Sequence, residues 1–292
     1  MIGRAMAEIR IVERARRDRL GEGLLWSDRE QAVYWTDILE RRVNRLTLIG
    51  GRIDSWEVPQ TIGWVIERQG APGLIAGHGR EIVRLTLDPL AIETIAAPEP
   101  DRDGNRMNDA KADALGRIWA GTMPVTCDRP SGAFYRLDPD GRIARVDGPY
   151  TIANGPAIAP GGDMLLHTDT ALGTIFRFAI RDDGSLGPRE PFITFEKNWG
   201  SPDGMTFDAE GGLWVACWGG SGVMRFDPLG KPERRIALPA SQITNMVFAG
   251  ADLDRMFVTS AADGVERAEP DAGALFEVDP GCRGLPAGRY AG

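Results

Sequence analysis

The sequence predicts an all-β protein built as a six-bladed β-propeller. Three observations predict it: short strand-like runs dominate, turn residues separate them, and the same pattern recurs about every 45 residues, the length of one four-stranded blade. A regular repeat of this kind favours one closed domain over two, although 292 residues would allow either. We therefore expect a single propeller domain spanning residues 1–292.

Six repeats can be counted from their second and third strands. The predicted second strands begin at Ala32, Gly73, Ile118, Met164, Leu213 and Met256. The predicted third strands begin at Val43, Glu81, Ala133, Thr174, Gly222 and Ala274. In most third strands an arginine stands between apolar residues, and this alternation is typical of a strand with one buried face.

The ring needs a closing strand, and the beginning of the chain offers one. The segment Glu8–Glu13 alternates charged and apolar residues. We expect it to form the outer strand of the last blade, because an open ring would leave an unpaired sheet edge.

Polar residues occupy one position of the repeat, about ten residues before each second strand. They are Glu22, Asn108, Asn154 and Asp203, whereas the second repeat has Gly63 there. Equivalent positions of successive blades meet at one height around the channel, so we expect Glu22, Asn154 and Asp203 to converge, with Asn108 nearby. Asn-Gly and Asp-Gly pairs usually form turns, but a shared position for three different side chains favours a site.

Two carboxylates and an amide oxygen are hard donors that suit calcium, magnesium or manganese. Zinc or ferrous iron remains an alternative, although nitrogen ligands are then more usual. Three protein ligands leave positions open, so a bound cation could polarise an ester carbonyl. The sequence thus predicts one divalent cation in the channel, with Glu22, Asn154 and Asp203 as its ligands. A structural ion that only plugs the channel is the alternative.

Arg106 and Asn108 stand together in Asn105-Arg-Met-Asn-Asp109. The Asn108 amide suits contact with a substrate or with water on the metal, and the Arg106 guanidinium can bind substrate oxygens through two donors. An exposed loop arginine is the alternative for Arg106. Asp109 and Asp113 are interpreted as turn or surface residues.

Several aromatic residues have two possible roles. His167 could reach the channel floor or be a core residue, and with only two histidines a Ser-His-Asp hydrolase is unsupported. Trp199 and Trp218 either wall the pocket or pack in the core. Four further tryptophans are interpreted as packing between blades: Trp26, Trp35, Trp119 and Trp214.

Composition narrows the partners. A net charge of −8 and a pI near 5 disfavour nucleic acid and anionic membrane surfaces. No apolar run approaches the ~18 residues of a membrane span. Three scattered cysteines fit a reducing cytoplasm. We expect a small-molecule ligand and infer no protein partner.

The motifs resemble the senescence-marker-protein/gluconolactonase/luciferin-regenerating-enzyme-like family of six-bladed sugar lactonases. The matching stretches include residues 20–26, 106–123, 152–155, 201–218 and 257–261. The resemblance implies that Glu22, Asn154 and Asp203 bind a divalent metal, that Asp203 also accepts a proton, and that Arg106 and Asn108 contact substrate. Within the family, the chain is most similar to bacterial aldonolactonases.

The resemblance implies a metal-dependent lactonase that opens a pentono- or hexonolactone to the aldonic acid. The cation would be calcium, manganese, zinc, magnesium or ferrous iron. Relatives often place an acidic residue after the Gly-Thr-Met motif to meet sugar hydroxyls. In this chain Pro124 follows the Gly-Thr-Met motif, so the sugar preference of the relatives does not apply to it. Two alternatives remain: a phosphotriesterase-like hydrolase on the same propeller, and a non-catalytic calcium-binding or scaffold propeller.

Overall fold

The computed structural model describes residues 8–265 and 269–292. Within them the chain forms six four-stranded antiparallel sheets, and the prediction of a six-bladed β-propeller is confirmed. Strands are numbered β1–β24 along the chain. The inner strands are β2 Gly21–Ser27, β6 Ile62–Glu67, β10 Asn105–Ala112, β14 Ala153–Ile158, β18 Ser201–Phe207 and β22 Ile243–Ala249.

The second and third strands begin within one residue of the predicted positions. The second strands are β3 Ala32–Asp37, β7 Leu74–His78, β11 Ile118–Pro124, β15 Met164–Asp169, β19 Leu213–Trp218 and β23 Arg255–Ser260. The third strands are β4 Arg42–Thr47, β8 Glu81–Leu87, β12 Gly132–Leu137, β16 Thr174–Ala179, β20 Gly222–Phe226 and β24 Leu275–Val278.

The outer strands complete the sheets, and the first of them closes the ring. They are β5 Ile53–Glu57, β9 Leu90–Ala96, β13 Ile143–Tyr150, β17 Glu190–Thr194, β21 Pro232–Ala237 and β1 Ile9–Ile11. β1 pairs with β24 in the last blade, with Ile9 opposite Val278. The prediction that the beginning of the chain supplies this strand is confirmed.

Helical structure is limited, in the described residues, to two 3₁₀ turns, Thr170–Leu172 and Lys197–Trp199. None of the helices in this part of the chain has the length and apolar character needed to cross a membrane.

The packing between blades is aromatic and aliphatic. Trp26, Trp35, Trp119 and Trp214 are all buried in clusters that join neighbouring blades, as predicted. The indole N–H of Trp119 donates to Asp113 Oδ2 at 2.8 Å, and Arg117 Nε donates to the same oxygen at 2.6 Å. Asp113 also opens a turn, since its backbone oxygen accepts the Gly116 N–H at 3.0 Å. Of the two interpretations of Asp113, the turn is confirmed and the surface position is wrong, because the side chain is buried with these partners.

The end of the chain closes one end of the channel, a feature that the sequence analysis did not predict. Residues 284–291, here called the C-terminal strap, leave the last blade where the Gly284 N–H donates to Leu253 O at 2.7 Å. They reach the second and third blades, where the Tyr290 N–H donates to Glu67 O at 2.9 Å and the Ala291 N–H to Gly116 O at 3.2 Å. The strap thus ties the second, third and last blades together, and Gly284 also forms a bridge with Asp208 of the fifth blade.

Candidate metal centre

Each inner strand contains a one-residue bulge, and the predicted site residues lie in or beside these bulges. In β2, Glu22 lies opposite Thr36 but Leu25 lies opposite Tyr34, so the inner strand carries one extra residue. Equivalent shifts interrupt the other five inner strands. Because a bulge bends its strand and re-aims side chains, the same polar position points toward the channel in blade after blade.

The glycines that follow the polar residues serve the bulges and not hairpin turns. Gly23 and Gly155 have φ values of 58° and 70°, in the left-handed region that favours glycine. A Cβ on Gly23 would also lie 2.6 Å from Gly63 O of the second blade. A Cβ on Gly63 would in turn lie 2.3 Å from Asn108 O of the third blade. This close approach of two inner strands leaves no room for a side chain at the polar position of the second blade.

The structure brings the predicted residues together. Glu22, Asn154 and Asp203 are 5%, 5% and 4% exposed, and Arg106 and Asn108 are also buried. The interpretation of Arg106 as an exposed loop arginine is therefore wrong. In the described residues, only Nη1 of Arg106 makes a protein hydrogen bond, to Asn108 Oδ1 at 2.6 Å and to Met107 O at 3.0 Å.

Two site residues were missed by the sequence analysis. Asp109, interpreted as a turn or surface residue, is 2% exposed, and Asn245 of the last blade is 1% exposed. The Asn245 amide donates to Glu22 Oε2 at 2.9 Å and to Asp109 Oδ2 at 3.4 Å. Asp109 stands one position after the polar position of the repeat, where a bulge turns a second residue toward the channel. Asn245 stands ten residues before Arg255, where β23 begins, and so occupies the polar position of the last blade.

Three carboxylates therefore share one buried environment. Burial raises the pKa of Asp203 well above its usual range, and the neighbouring Glu22 and Asp109 raise it further. Burial and Glu22 raise the pKa of Asp109 to about 8, and burial also raises the pKa of Glu22. Three close carboxylates disfavour one another's ionised form, and a bound cation would stabilise that ionised form.

The donor set fits a divalent cation. Asp203 Oδ1 is buried and has no hydrogen-bond partner in the described part of the chain, and such an orphaned oxygen is costly unless something binds it. No three His, Cys, Asp or Glu side chains form a metal cluster among the described residues. The predicted set contains only two such side chains, because its third donor is the Asn154 amide.

A cavity of about 420 Å³ lies beyond the carboxylates, along the second half of the inner strands. Its walls include Leu24, Val65 and Phe248, and Leu285–Gly288 of the C-terminal strap contribute to its lining. Lys111 also lines it, and burial lowers the pKa of this lysine. Along β10, Arg106 comes before Asp109, whereas the cavity-lining residues Lys111 and Ala112 come after it. The arginine and the cavity therefore lie on opposite sides of the three carboxylates.

The aromatic residues with open roles lie mostly in the core. His167 is fully buried and stacks on Phe134 and Phe178, with ring centroids 4.0 and 5.3 Å away. Burial lowers its pKa to about 3, so it is the core residue of the two alternatives. Trp199 packs on Phe195, and Trp218, partly buried, ends β19.

The chain belongs to the SMP-30/gluconolactonase/LRE-like family, whose model matches residues 20–262. It is 33% identical to regucalcin of Gallus gallus, with 94% of this chain and 96% of the relative covered. It is 34% identical to a pentonolactonase of Haloferax volcanii, with 92% and 93% covered. The solved structure of regucalcin from Agrobacterium tumefaciens, described as a calcium-binding protein, matches with a TM-score of 0.91 and 26% identity over 97% of each chain.

Proposed function

We propose that this protein is a metal-dependent sugar lactonase that hydrolyses an aldonolactone to the aldonic acid. The observation that carries the proposal is the unpaired Asp203 Oδ1 in a channel that also holds Glu22, Asn154 and an arginine–amide pair. Family membership and the pentonolactonase relative support the substrate class.

Glu22, Asn154 and Asp203 would hold the cation. Their oxygens favour calcium, magnesium or manganese over zinc or ferrous iron, and a relative described as calcium-binding supports the first of these. When bound, the cation supplies Lewis-acid polarisation of the lactone carbonyl and its positive charge balances the carboxylates.

Asp203 is proposed as the proton acceptor for the attacking water. Asp203 is a carboxylate, which can accept a proton from water, and its Oδ1 has no hydrogen-bond partner in the described part of the chain. Asp203 would take the proton as the water oxygen bonds to the carbonyl carbon. It would return that proton to the ring oxygen as the bond between this oxygen and the carbonyl carbon breaks.

Arg106 and Asn108 are proposed to hold the lactone. In the described residues, Nε and Nη2 of Arg106 make no protein hydrogen bond, so a flat fork of donors is available to substrate oxygens. The bond from Nη1 to Asn108 orients the guanidinium and leaves Nε and Nη2 for the substrate.

The proposal also includes one domain and a cytoplasmic location. The six sheets share one ring, and β1 joins the beginning of the chain to the last blade. Cys127, Cys217 and Cys282 are all free thiols, as expected in a reducing compartment.

The test is a panel of pentono- and hexonolactones given to metal-stripped protein with calcium, magnesium, manganese, zinc or ferrous iron restored one at a time. Proton release, followed with a pH indicator and corrected for spontaneous hydrolysis, should require a divalent cation. Activity on phosphotriesters alone, or on neither class with any cation, would refute the proposal in favour of the phosphotriesterase or the scaffold alternative.

A further inference from the structure

Asn245 is a deeply buried polar side chain, 1% exposed, beside the carboxylates of the channel, and it joins three blades. It lies on β22 of the last blade, whereas its two acceptors, Glu22 and Asp109, lie on β2 and β10. Its amide nitrogen thus donates to two carboxylates that repel each other when both are ionised.

The orientation of the Asn245 amide is fixed from both ends. Its Oδ1 accepts the N–H of Met246 at 2.8 Å, so Nδ2 is the end that faces the carboxylates. A Cβ added to Gly204 would lie 2.6 Å from the Asn245 Cγ and Nδ2. The fifth blade therefore packs directly against this amide, and glycine at position 204 leaves room for it.

The two carboxylate oxygens of Glu22 differ in their hydrogen bonds. Oε2 accepts from Asn245 Nδ2 at 2.9 Å and from the Gly23 N–H at 3.0 Å. No hydrogen bond reaches Oε1 within the described residues. Oε1 is consequently the oxygen that Glu22 has left for a cation.

Asp109 differs from Glu22, because both of its carboxylate oxygens accept hydrogen bonds from the protein. Its Oδ1 accepts the Ala110 N–H at 2.7 Å, and its Oδ2 accepts from Asn245. Both of its oxygens are occupied by protein donors, whereas Glu22 and Asp203 each have an oxygen to which no donor in residues 8–265 and 269–292 is bonded.

We infer that Asn245 is a positioning residue for the proposed cation site: it turns Glu22 so that Oε1 faces the channel, and it holds Asp109 back as a non-ligand. This inference rests on the proposed function only in requiring that a divalent cation binds. Outer-sphere partners of metal ligands typically contribute about 10- to 100-fold to metal affinity, and Asn245 should lie in that range.

The test compares Asn245→Leu and Asn245→Ala with Asn44→Leu and Asn44→Ala. Asn44 is also a buried asparagine on a strand, bonded there by the Ser55 hydroxyl at 2.8 Å, but it lies on the third strand β4. Calcium and manganese affinities are measured by calorimetry on the full chain, with thermal unfolding as the check that each variant is folded.

Both Asn245 variants should bind the cations about 10- to 100-fold more weakly, while both Asn44 variants keep the wild-type affinity at a similar cost in stability. Wild-type affinity in a folded Asn245→Ala protein would overturn the inference alone. An absence of stoichiometric binding by the wild-type protein would overturn the proposed metal dependence, and the inference with it.

Discussion

Asn108 Nδ2 donates to Asn154 Oδ1 at 2.7 Å and joins the third blade to the fourth inside the channel. The bond belongs to a directional chain. Arg106 can only donate, so Asn108 Oδ1 must be its acceptor at 2.6 Å. Asn154 Nδ2 then faces Thr170 Oγ1 at 3.0 Å. The direction fixes Asn154 with its oxygen toward the channel and couples the proposed substrate contacts to a proposed ligand.

Replacing Glu22 with Gln should weaken divalent-cation binding by roughly tenfold or more, since one formal charge leaves a site of few ligands. Calorimetric titration of metal-stripped protein measures this. Glu210→Gln, a substitution on the surface, is the matched control. Equal affinities in the Glu22 variant and the wild type would remove Glu22 from the ligand set.

Replacing Asp203 with Asn should lower turnover by about 10²- to 10⁴-fold even at saturating cation, because an amide keeps an oxygen ligand but cannot accept a proton. Steady-state kinetics with added metal measures the loss. Asp183→Asn, on an exposed turn, is the control. Turnover at the wild-type rate in a metal-loaded Asp203→Asn protein would disprove its role as the base.

Replacing Arg106 with Ala should leave metal content unchanged and cost about 1.5–3 kcal/mol in kcat/KM, the range for a hydrogen bond to a charged group. That corresponds to roughly 10- to 150-fold. Elemental analysis and lactone kinetics on the same sample separate binding of metal from binding of substrate. Loss of the cation instead would show that Arg106 acts mainly through Asn108 and Asn154.

Metal-free protein should lose stability as pH rises from 6.5 to 8.5. Burial raises the folded-state pKa of Asp109 to about 8 and that of Asp203 well above normal. A raised pKa contributes stability below the unfolded value of 3.8 and loses it as pH passes the folded value. His78 and His167 have lowered pKa values and act in the opposite sense below their ordinary value of 6.5. Burial also lowers the pKa of Lys111, which acts in the opposite sense below its ordinary value of 10.5, so the Asp109→Asn comparison is needed to isolate the carboxylate contribution.

Denaturant unfolding at both pH values measures this loss, and Asp109→Asn should reduce it. A cation at about one hundred times its Kd should stabilise the protein by about 2.7 kcal/mol and diminish the pH dependence. A flat or rising profile in the metal-free protein would contradict the shared carboxylate environment.

The repeat made the architecture and most of the site predictable. Spacing alone located all six blades, and one shared position found Glu22, Asn108, Asn154 and Asp203. This worked because a propeller converts sequence period into angular position around one axis.

Asn245 and Asp109 escaped for a physical reason. Asp109 follows the repeated position inside a bulge, which places two residues opposite one, and no period reveals which of the two faces the channel. Asn245 stands ten residues before Arg255, where β23 begins, but eleven before the predicted start at Met256, so the expected spacing fell on Met246 instead. The C-terminal strap escaped as well, since residues 284–291 form no regular strand and are held by isolated backbone hydrogen bonds.

The bulges have a consequence for engineering. The proposed ligands and substrate contacts stand on inner strands bonded to their own sheets, whereas the loop of residues 125–131 after β11 is largely exposed and is tied to the turn before Arg106 by the Val125 N–H to Gly104 O bond. This loop is therefore a segment next to the strand of Arg106 that contains none of the proposed ligands or substrate contacts. Libraries aimed at a new sugar should begin in that loop and keep Arg106 and Asn108 unchanged.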